Sequence, residues 1–136
     1  MKKAKKIDYT YAVGRRRTAS ARVRLYRGKG ENTVNGLPFE KYFDSPVFNA
    51  IWIKSFKQVD ASDKYYSSVR VAGGGKKGQL DAVIHAIAKA LAKAEKDKFR
   101  SSLKKAGLLT RDARIRERRK VGTGGKARRE KQSPKR

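Results

Sequence analysis

Three groups of cationic side chains stand out, and the chemistry they suit is the binding of phosphate. Arg15-Arg16-Arg17 is the first. Arg111, Arg114, Arg116, Arg118, Arg119 and Lys120 form the second, and Lys126, Arg128 and Arg129 with the terminal Lys135-Arg136 form the third. Arginine dominates the first two groups. Its planar, weakly hydrated fork grips phosphate oxygens through paired hydrogen bonds. A single arginine run is ordinarily a solvated surface. Here the chain has 136 residues with 37 Lys plus Arg against 12 Asp plus Glu, a net charge of +25. Repulsion on that scale opposes a compact state unless a polyanion is the partner, and nucleic acid is the commonest polyanion. No aromatic residue interleaves the basic positions after Thr110, so base stacking is not their mode. They suit reading of backbone and shape.

The glycine-rich segment Gly73-x-Gly75-x-x-Gly78, with Lys76 and Lys77 inside it, offers another phosphate chemistry. Its spacing is that of the dinucleotide fingerprint, and it lies between a strand-like and a helix-like stretch. The context fails. Asp97 has the spacing of the ribose-binding acid but falls between two helical segments, with no acceptor strand before it. The P-loop pattern also fails, because Gln79 and Leu80 stand where Lys and Ser/Thr are needed. What remains is a glycine turn before a helix N terminus with two added lysines. That suits a nucleic-acid phosphate, and it equally suits a tight turn with solvated lysines.

Other chemistries are excluded by composition. There is no cysteine and one histidine, His85, so thiolate catalysis, disulfides and His/Cys metal sites are absent. No apolar run is long enough to span a bilayer. Met1 to Lys6 has no apolar stretch behind it, which argues against a secretory signal. The tail lacks the exposed Trp, Phe and Leu of a membrane-surface helix, so no membrane partner is expected.

The positioning elements follow from periodicity. Tyr9 to Val13 and Ala21 to Arg27 alternate as strands, the second with Arg22 and Arg24 opposite Ala21, Val23 and Leu25. Gly28 to Gly30 reads as a turn leading to a short strand over Glu31–Val34, the two forming a hairpin, with Asn35-Gly36 as the next turn. Pro38 to Phe43 opens a short helix, and Val47, Phe48, Ile51, Trp52 and Phe56 share one helical face of the core. Tyr65 to Ala72 alternates again. Gln79 to Lys96 is the strongest amphipathic helix, with Leu80, Val83, Ile84, Ile87, Leu91 and Ala94 on one stripe and Lys89, Lys93 and Lys96 opposite. His85 falls outside that stripe, between Asp81 and Lys89. Either it lies half-exposed beside Asp81 or it contacts phosphate. A second helix over Lys98–Ala106 ends at Gly107. The result is an α+β protein, a small two-layer α/β sandwich with helices on one face of a mixed sheet. Residues 1–8 form a basic arm and residues 9–110 a globular domain. Residues 111–136 carry 12 Lys/Arg against 3 Asp/Glu and almost no large apolar residue, so they form an extended tail, disordered when free. About 26 residues can reach roughly 85–90 Å when extended.

Several motifs together resemble the bacterial type of small-ribosomal-subunit protein nine. They are Gly14-Arg15-Arg16-Arg17-Thr18-Ala19-x-Ala21-Arg22-Val23, Val34-Asn35-Gly36, Gly73-Gly74-Gly75-x-x-Gly78-Gln79 with His85, Lys105-Ala106-Gly107-Leu108-Leu109-Thr110-Arg111-Asp112-Ala113-Arg114, Glu117-Arg118-x-Lys120-x-Gly122, and the Lys135-Arg136 end. The resemblance runs from about residue 9 to the last residue. It implies a cytoplasmic, non-catalytic ribosomal component without a cofactor. The implied fold is like the second domain of ribosomal protein five, with a left-handed βαβ crossover. It also implies ribosomal RNA contacts in the head of the small subunit from Arg15, Arg16, Arg17, Lys76, Lys77, Arg111, Arg114, Arg118, Arg119, Lys120, Lys126, Arg128 and Arg129. Neighbouring head proteins are further implied partners. The tail would reach the peptidyl-site tRNA, whose anticodon stem-loop Arg136 and Lys135 would touch. Ile84 stands where the family usually has a basic residue, and its place on the apolar stripe predicts packing. In the tail, Glu130 and Pro134 depart from the family's usual run, and the aromatic that normally precedes the last basic pair is absent.

A free RNA-binding module and a nucleotide-binding enzyme are the alternatives that composition and the glycine segment leave open.

Overall fold

The computed structural model describes residues 9–118 and residue 120. The elements run β1 (Thr10–Arg16), β2 (Ala19–Arg27), β3 (Thr33–Val34), β4 (Leu37–Pro38), α1 (Phe39–Tyr42), α2 (Pro46–Trp52), α3 (Lys54–Gln58), β5 (Tyr65–Ala72), α4 (Lys76–Ala94) and α5 (Lys96–Lys105). The five strands form one sheet in the order β1-β2-β5-β3-β4, antiparallel except for the parallel pair β3 and β5. The expected α+β class and mixed sheet are present, with the helices on one face.

The alternation in the three long strands decides which face that is. Ala12 and Gly14 of β1, Ala19, Ala21, Val23 and Leu25 of β2, and Tyr65, Ser67, Val69 and Val71 of β5 are all buried. They pack against α4, which lies across β1 and β2. Small residues on both surfaces let backbone approach backbone. A Cβ on Gly14 would stand 2.1 Å from the carbonyl oxygen of Ala82 and 2.5 Å from the nitrogen of Ala86. The buried surface of α4 is therefore wider than its aliphatic stripe and takes in Ala82, Ala86, Ala88, Ala90 and Ala92. Ile84 is half-buried against the core, as its place on the stripe predicts. Phe39, Phe43, Trp52 and Phe56 complete the core, with the Phe39 and Trp52 rings 4.3 Å apart.

Three local readings are corrected. First, β2 and β3 do not form a hairpin, because β5 lies between them. Gly28 has a φ of 113° and donates to the Lys64 carbonyl, and Gly30 passes against the Tyr66 ring, so the chain crosses the end of β5 instead of turning back on β2. The two-residue β3 is held to β5 by side chains. Asn32 Oδ1 accepts from the Ser67 N–H and Oγ–H, and Asn35 exchanges hydrogen bonds with the Val71 N–H and carbonyl. The true hairpin here is β3–β4, closed by Asn35-Gly36 with φ of 52° and 82°, both left-handed as a tight two-residue hairpin turn requires. Second, α4 starts at Lys76, so Gly78 is helical rather than part of a loop. Third, residues 47–56 are two helices, α2 and α3, meeting at Ile53.

Candidate nucleic-acid interface

The hairpin of β1 and β2 brings the first arginine group to the N-terminal end of α4. β1 continues through Arg16, so its period of two separates neighbours. Arg15 points outward and is exposed, whereas Arg16 faces α4 with its side chain only 13 % accessible. Arg17 occupies the two-residue turn with a φ of 53°, a left-handed conformation costing on the order of 1 kcal/mol, and is exposed.

The glycine segment packs on this turn. Gly73 has a φ of 80°, and a Cβ there would sit 2.4 Å from the Thr18 carbonyl oxygen; Gly74 has a φ of 62°. These glycines are accounted for by a turn and a close backbone contact, without a nucleotide. Lys76 donates to the Tyr42 carbonyl and lies 4.2 Å from the Tyr42 ring centre. The Tyr42 hydroxyl donates to Gln79 Oε1 at 2.6 Å, and Gln79 Nε2 donates to the Gly73 carbonyl at 2.9 Å. Lys77 is exposed beside the start of α4, which no side chain caps. Its charge adds to the positive end of the helix dipole, a combination that favours an anion nearby.

The second arginine group arrives because α5 ends in a tight reversal. Gly107 has a φ of 75° and donates to the Lys104 carbonyl, while the Leu108 N–H donates to the Leu103 carbonyl. This is the Schellman pattern. It lays Leu108 and Leu109 back on the core. The Leu109 carbonyl meets His85 Nε2 at 3.2 Å, and Asp112 reaches Arg16. Arg16 forms an ion pair with the Asp112 carboxylate, donates to the Asp112 carbonyl at 3.1 Å, and lies 3.8 Å from Asp81. Arg114 adds a two-pronged contact to Asp112, at 2.8 to 3.2 Å. Hydrogen bonds from Arg114 and Arg16 hold the Asp112 carboxyl below the ordinary carboxylate range. The pairing in turn raises the Arg114 guanidinium.

The sequence-selected residues thus divide into two groups. Arg15, Lys77 and Arg111 are exposed around an open cleft between β1, α4 and the segment after α5, and Arg17 is exposed in the turn after β1. Arg16 is tied into the protein, whereas Lys76 and Arg114 are exposed but engaged, Lys76 with the Tyr42 carbonyl and Arg114 with Asp112 at the rim of the cleft. Arg118 and Lys120 are exposed beyond it. Arg119, Lys126, Arg128, Arg129, Lys135 and Arg136, with the tail departures at Glu130 and Pro134, lie outside the described residues. Lys89 also borders the cleft and donates to the Val13 carbonyl on the free edge of β1 at 2.9 Å. The lysine stripe of α4 was its signal.

His85 is half-buried and borders the same cleft as Asp81, one turn away on α4, but its hydrogen bond goes to Leu109. Its Nε2–H donates to the Leu109 carbonyl, and its buried Nδ1 has no hydrogen-bond partner among the described residues. Desolvation lowers its pKa most, and Lys89 and Arg111 lower it further, against the opposing effect of the Leu109 bond. The folded form is therefore the weaker base. Between its folded pKa and about 6.5 the unfolded chain binds the extra proton. His85 contributes stability that is present above about 6.5 and is lost as pH falls toward the folded pKa. Acidification from about pH 7.5 to 5.5 should lower the thermal midpoint, and less so in His85→Gln, where an amide can still donate to Leu109. Equal pH slopes in the two proteins would refute this.

Among the described residues there is no cluster of His, Asp and Glu able to hold a metal, and no helix is long and apolar enough to cross a membrane. Fold and site together define a basic α+β protein with exposed cations gathered at one cleft. A family model described as ribosomal protein S9/S16 matches residues 14–136. The small ribosomal subunit protein uS9 of Maridesulfovibrio salexigens is 47 % identical over 118 residues, covering 87 % of this chain and 90 % of that protein. The uS9 proteins of Solidesulfovibrio magneticus and Amoebophilus asiaticus are 45 % and 46 % identical, over 87 % and 82 % of this chain and 90 % and 86 % of their own lengths. The chain belongs to the ribosomal protein S9 family, as a structural constituent of the small ribosomal subunit and not an enzyme.

Proposed function

We propose that this protein, working in the cytoplasmic ribosome, binds ribosomal RNA of the subunit head through phosphate contacts and extends its tail to the peptidyl-site tRNA. The observation that carries the reading is the division of labour at the cleft. Arg15, Lys77 and Arg111 are exposed around it, while Arg16 and Asp112 fix where the tail leaves the domain. Residues 9–110 are the globular unit and residues 111–136 the tail, with residues 1–8 as a basic arm. The tail cations Arg118, Arg119, Lys120, Lys126, Arg128 and Arg129 continue the RNA contact. Arg16, Lys76 and Arg114 brace the site, and any phosphate contact they make is shared with their internal bonds. Lys135 and Arg136 meet the anticodon stem-loop. A charged fork on backbone phosphate has no base preference, as acceptance of every tRNA demands. The parallel pair of β3 and β5, joined through α1 to α3, supplies the βαβ unit of a crossover like that in the second domain of ribosomal protein five, which we propose is left-handed. Neighbouring head proteins would complete the surroundings.

Deleting Lys135 and Arg136 tests the tRNA arm of this reading. Subunits carrying the truncated chain should assemble normally and hold peptidyl-site tRNA several-fold more weakly, the scale of one or two lost phosphate contacts. Unchanged tRNA affinity in intact subunits would remove that contact from the account.

A further inference from the structure

The helices cover one face of the sheet, and no element of the described chain covers the other. The strand residues on that open face are Tyr11, Val13 and Arg15 of β1, Ser20, Arg22, Arg24 and Tyr26 of β2, Thr33 of β3, and Tyr66, Ser68, Arg70 and Ala72 of β5. No strand residue in the sheet is Asp or Glu. Arg22 stands directly opposite Arg70 in the β2–β5 register, and Arg24 stands opposite Ser68. Directly paired residues have Cβ atoms about 4.5–5.5 Å apart and diagonal ones about 7–8 Å, so Arg22, Arg24 and Arg70 form one cluster in the middle of the sheet. Like charges placed this way destabilise a sheet. Among the described residues no carboxylate lies within ion-pair distance of any of the three. Within the described residues the repulsion is left uncompensated, and a polyanion laid on the face would relieve it.

From this we infer that the open sheet face is a second RNA-binding surface, distinct from the cleft and tail, that takes backbone phosphates on Arg22, Arg24 and Arg70. The inference rests on the proposal above that the protein binds ribosomal RNA. The surrounding side chains fit that ligand better than an acidic protein segment. Ser20, Ser68 and Thr33 provide neutral hydroxyls beside the cations, suited to phosphate oxygens and ribose 2′-hydroxyls. Three of the tyrosines at this face already contact one another. Tyr9 and Tyr26 lie 5.8 Å apart, Tyr26 and Tyr66 lie 5.2 Å apart and nearly parallel, and Gly30 closes the far side of the Tyr66 ring. Arg24 rests 5.1 Å from the Tyr9 ring centre. Tyr26 and Tyr66 are thus engaged with each other, and the Tyr9 ring supports Arg24, which holds that guanidinium at the face. The face should read RNA by backbone and shape.

The test uses the full-length chain and transcribed small-subunit ribosomal RNA, with affinity measured between about 50 and 200 mM salt. Arg22→Thr with Arg70→Thr removes the opposed charges and keeps β-forming residues in mid-strand, so folding should be retained or improved, as a urea midpoint will show. The control, Lys54→Gln with Lys57→Gln on α3, makes the same charge change on the helical layer. The sheet variant should bind about tenfold more weakly at 150 mM salt, with its salt slope lowered by about 1.4 to 1.8, the release expected for two phosphate contacts. A salt slope equal to that of the control overturns the sheet-face inference and leaves the cleft and tail standing. Absence of saturable binding by the parent chain overturns the RNA reading itself.

Discussion

Alanine at position 14 is expected to destabilise the domain by about 3 kcal/mol, at or above the upper end of the usual cost of overpacking. The reason is what the added methyl group would meet. The two nearest atoms, the Ala82 oxygen at 2.1 Å and the Ala86 nitrogen at 2.5 Å, belong to helix backbone and cannot rotate away, and the Ala86 Cβ follows at 2.9 Å. Relief requires α4 to move off β1, and α4 is the helix that covers the buried faces of β1 and β2. The same movement would strain the Arg16–Asp112 and His85–Leu109 contacts. Gly75→Ala is the natural comparison, since a Cβ there meets nothing within 4 Å; its effect should stay within about 1 kcal/mol. Urea denaturation of the two variants beside the parent checks this. A Gly14→Ala midpoint equal to that of the parent would mean that α4 does not sit this close to β1.

The second large effect concerns RNA affinity. Truncation after Arg114 removes residues 115–136, with ten Lys/Arg and two Asp/Glu, yet keeps the Asp112 contacts to Arg16 and Arg114. The fold should survive, because the reversal after α5 and both anchoring contacts are retained. If about half of the removed cations meet phosphate, the salt slope for ribosomal RNA should fall by about 3.5 to 4.5, and affinity near 0.15 M salt should drop by two to three orders of magnitude. Loss of affinity without a change in slope would indicate a damaged domain instead. Full retention of both would show that the tail cations are solvated in the complex.

Which of these features could be read from residues alone depended on how local their causes were. The strands over Tyr9–Val13, Ala21–Arg27 and Tyr65–Ala72 and the long helix were legible because period two and period 3.6 are written in neighbouring residues. The place of β3 was not. It is two residues long, and its partner β5 lies more than thirty residues away, held through Asn32 and Asn35 side chains. The start of α4 was hidden by Gly78, which reads as loop. In the fold it sits inside the helix near Ala19, where the packing outweighs the roughly 1 kcal/mol that glycine costs a helix.

At the site, the charge runs announced phosphate, but charge alone does not say which arginine faces outward. Ending the first strand at Val13 leaves Arg15, Arg16 and Arg17 equivalent. Continuing it to Arg16 separates them by the parity of the pleat, and Arg16 becomes the partner of Asp112. That pairing also gives Asp112 a physical role within the Thr110 to Arg114 segment. The cluster of Arg22, Arg24 and Arg70 was half legible: alternation turned Arg22 and Arg24 outward, but only the β2–β5 register put Arg22 and Arg70 face to face.

The central claim is that this chain is an integral part of the small ribosomal subunit, held there by RNA. Sedimentation tests it most directly. A lysate expressing the chain with an N-terminal tag is run on a sucrose gradient at low salt and again after a high-salt wash. The account predicts stoichiometric amounts in the small-subunit peak under both conditions, because many phosphate contacts would have to break together before the protein could leave. A chain found at the top of the gradient, or stripped from the subunit by modest salt, would contradict it.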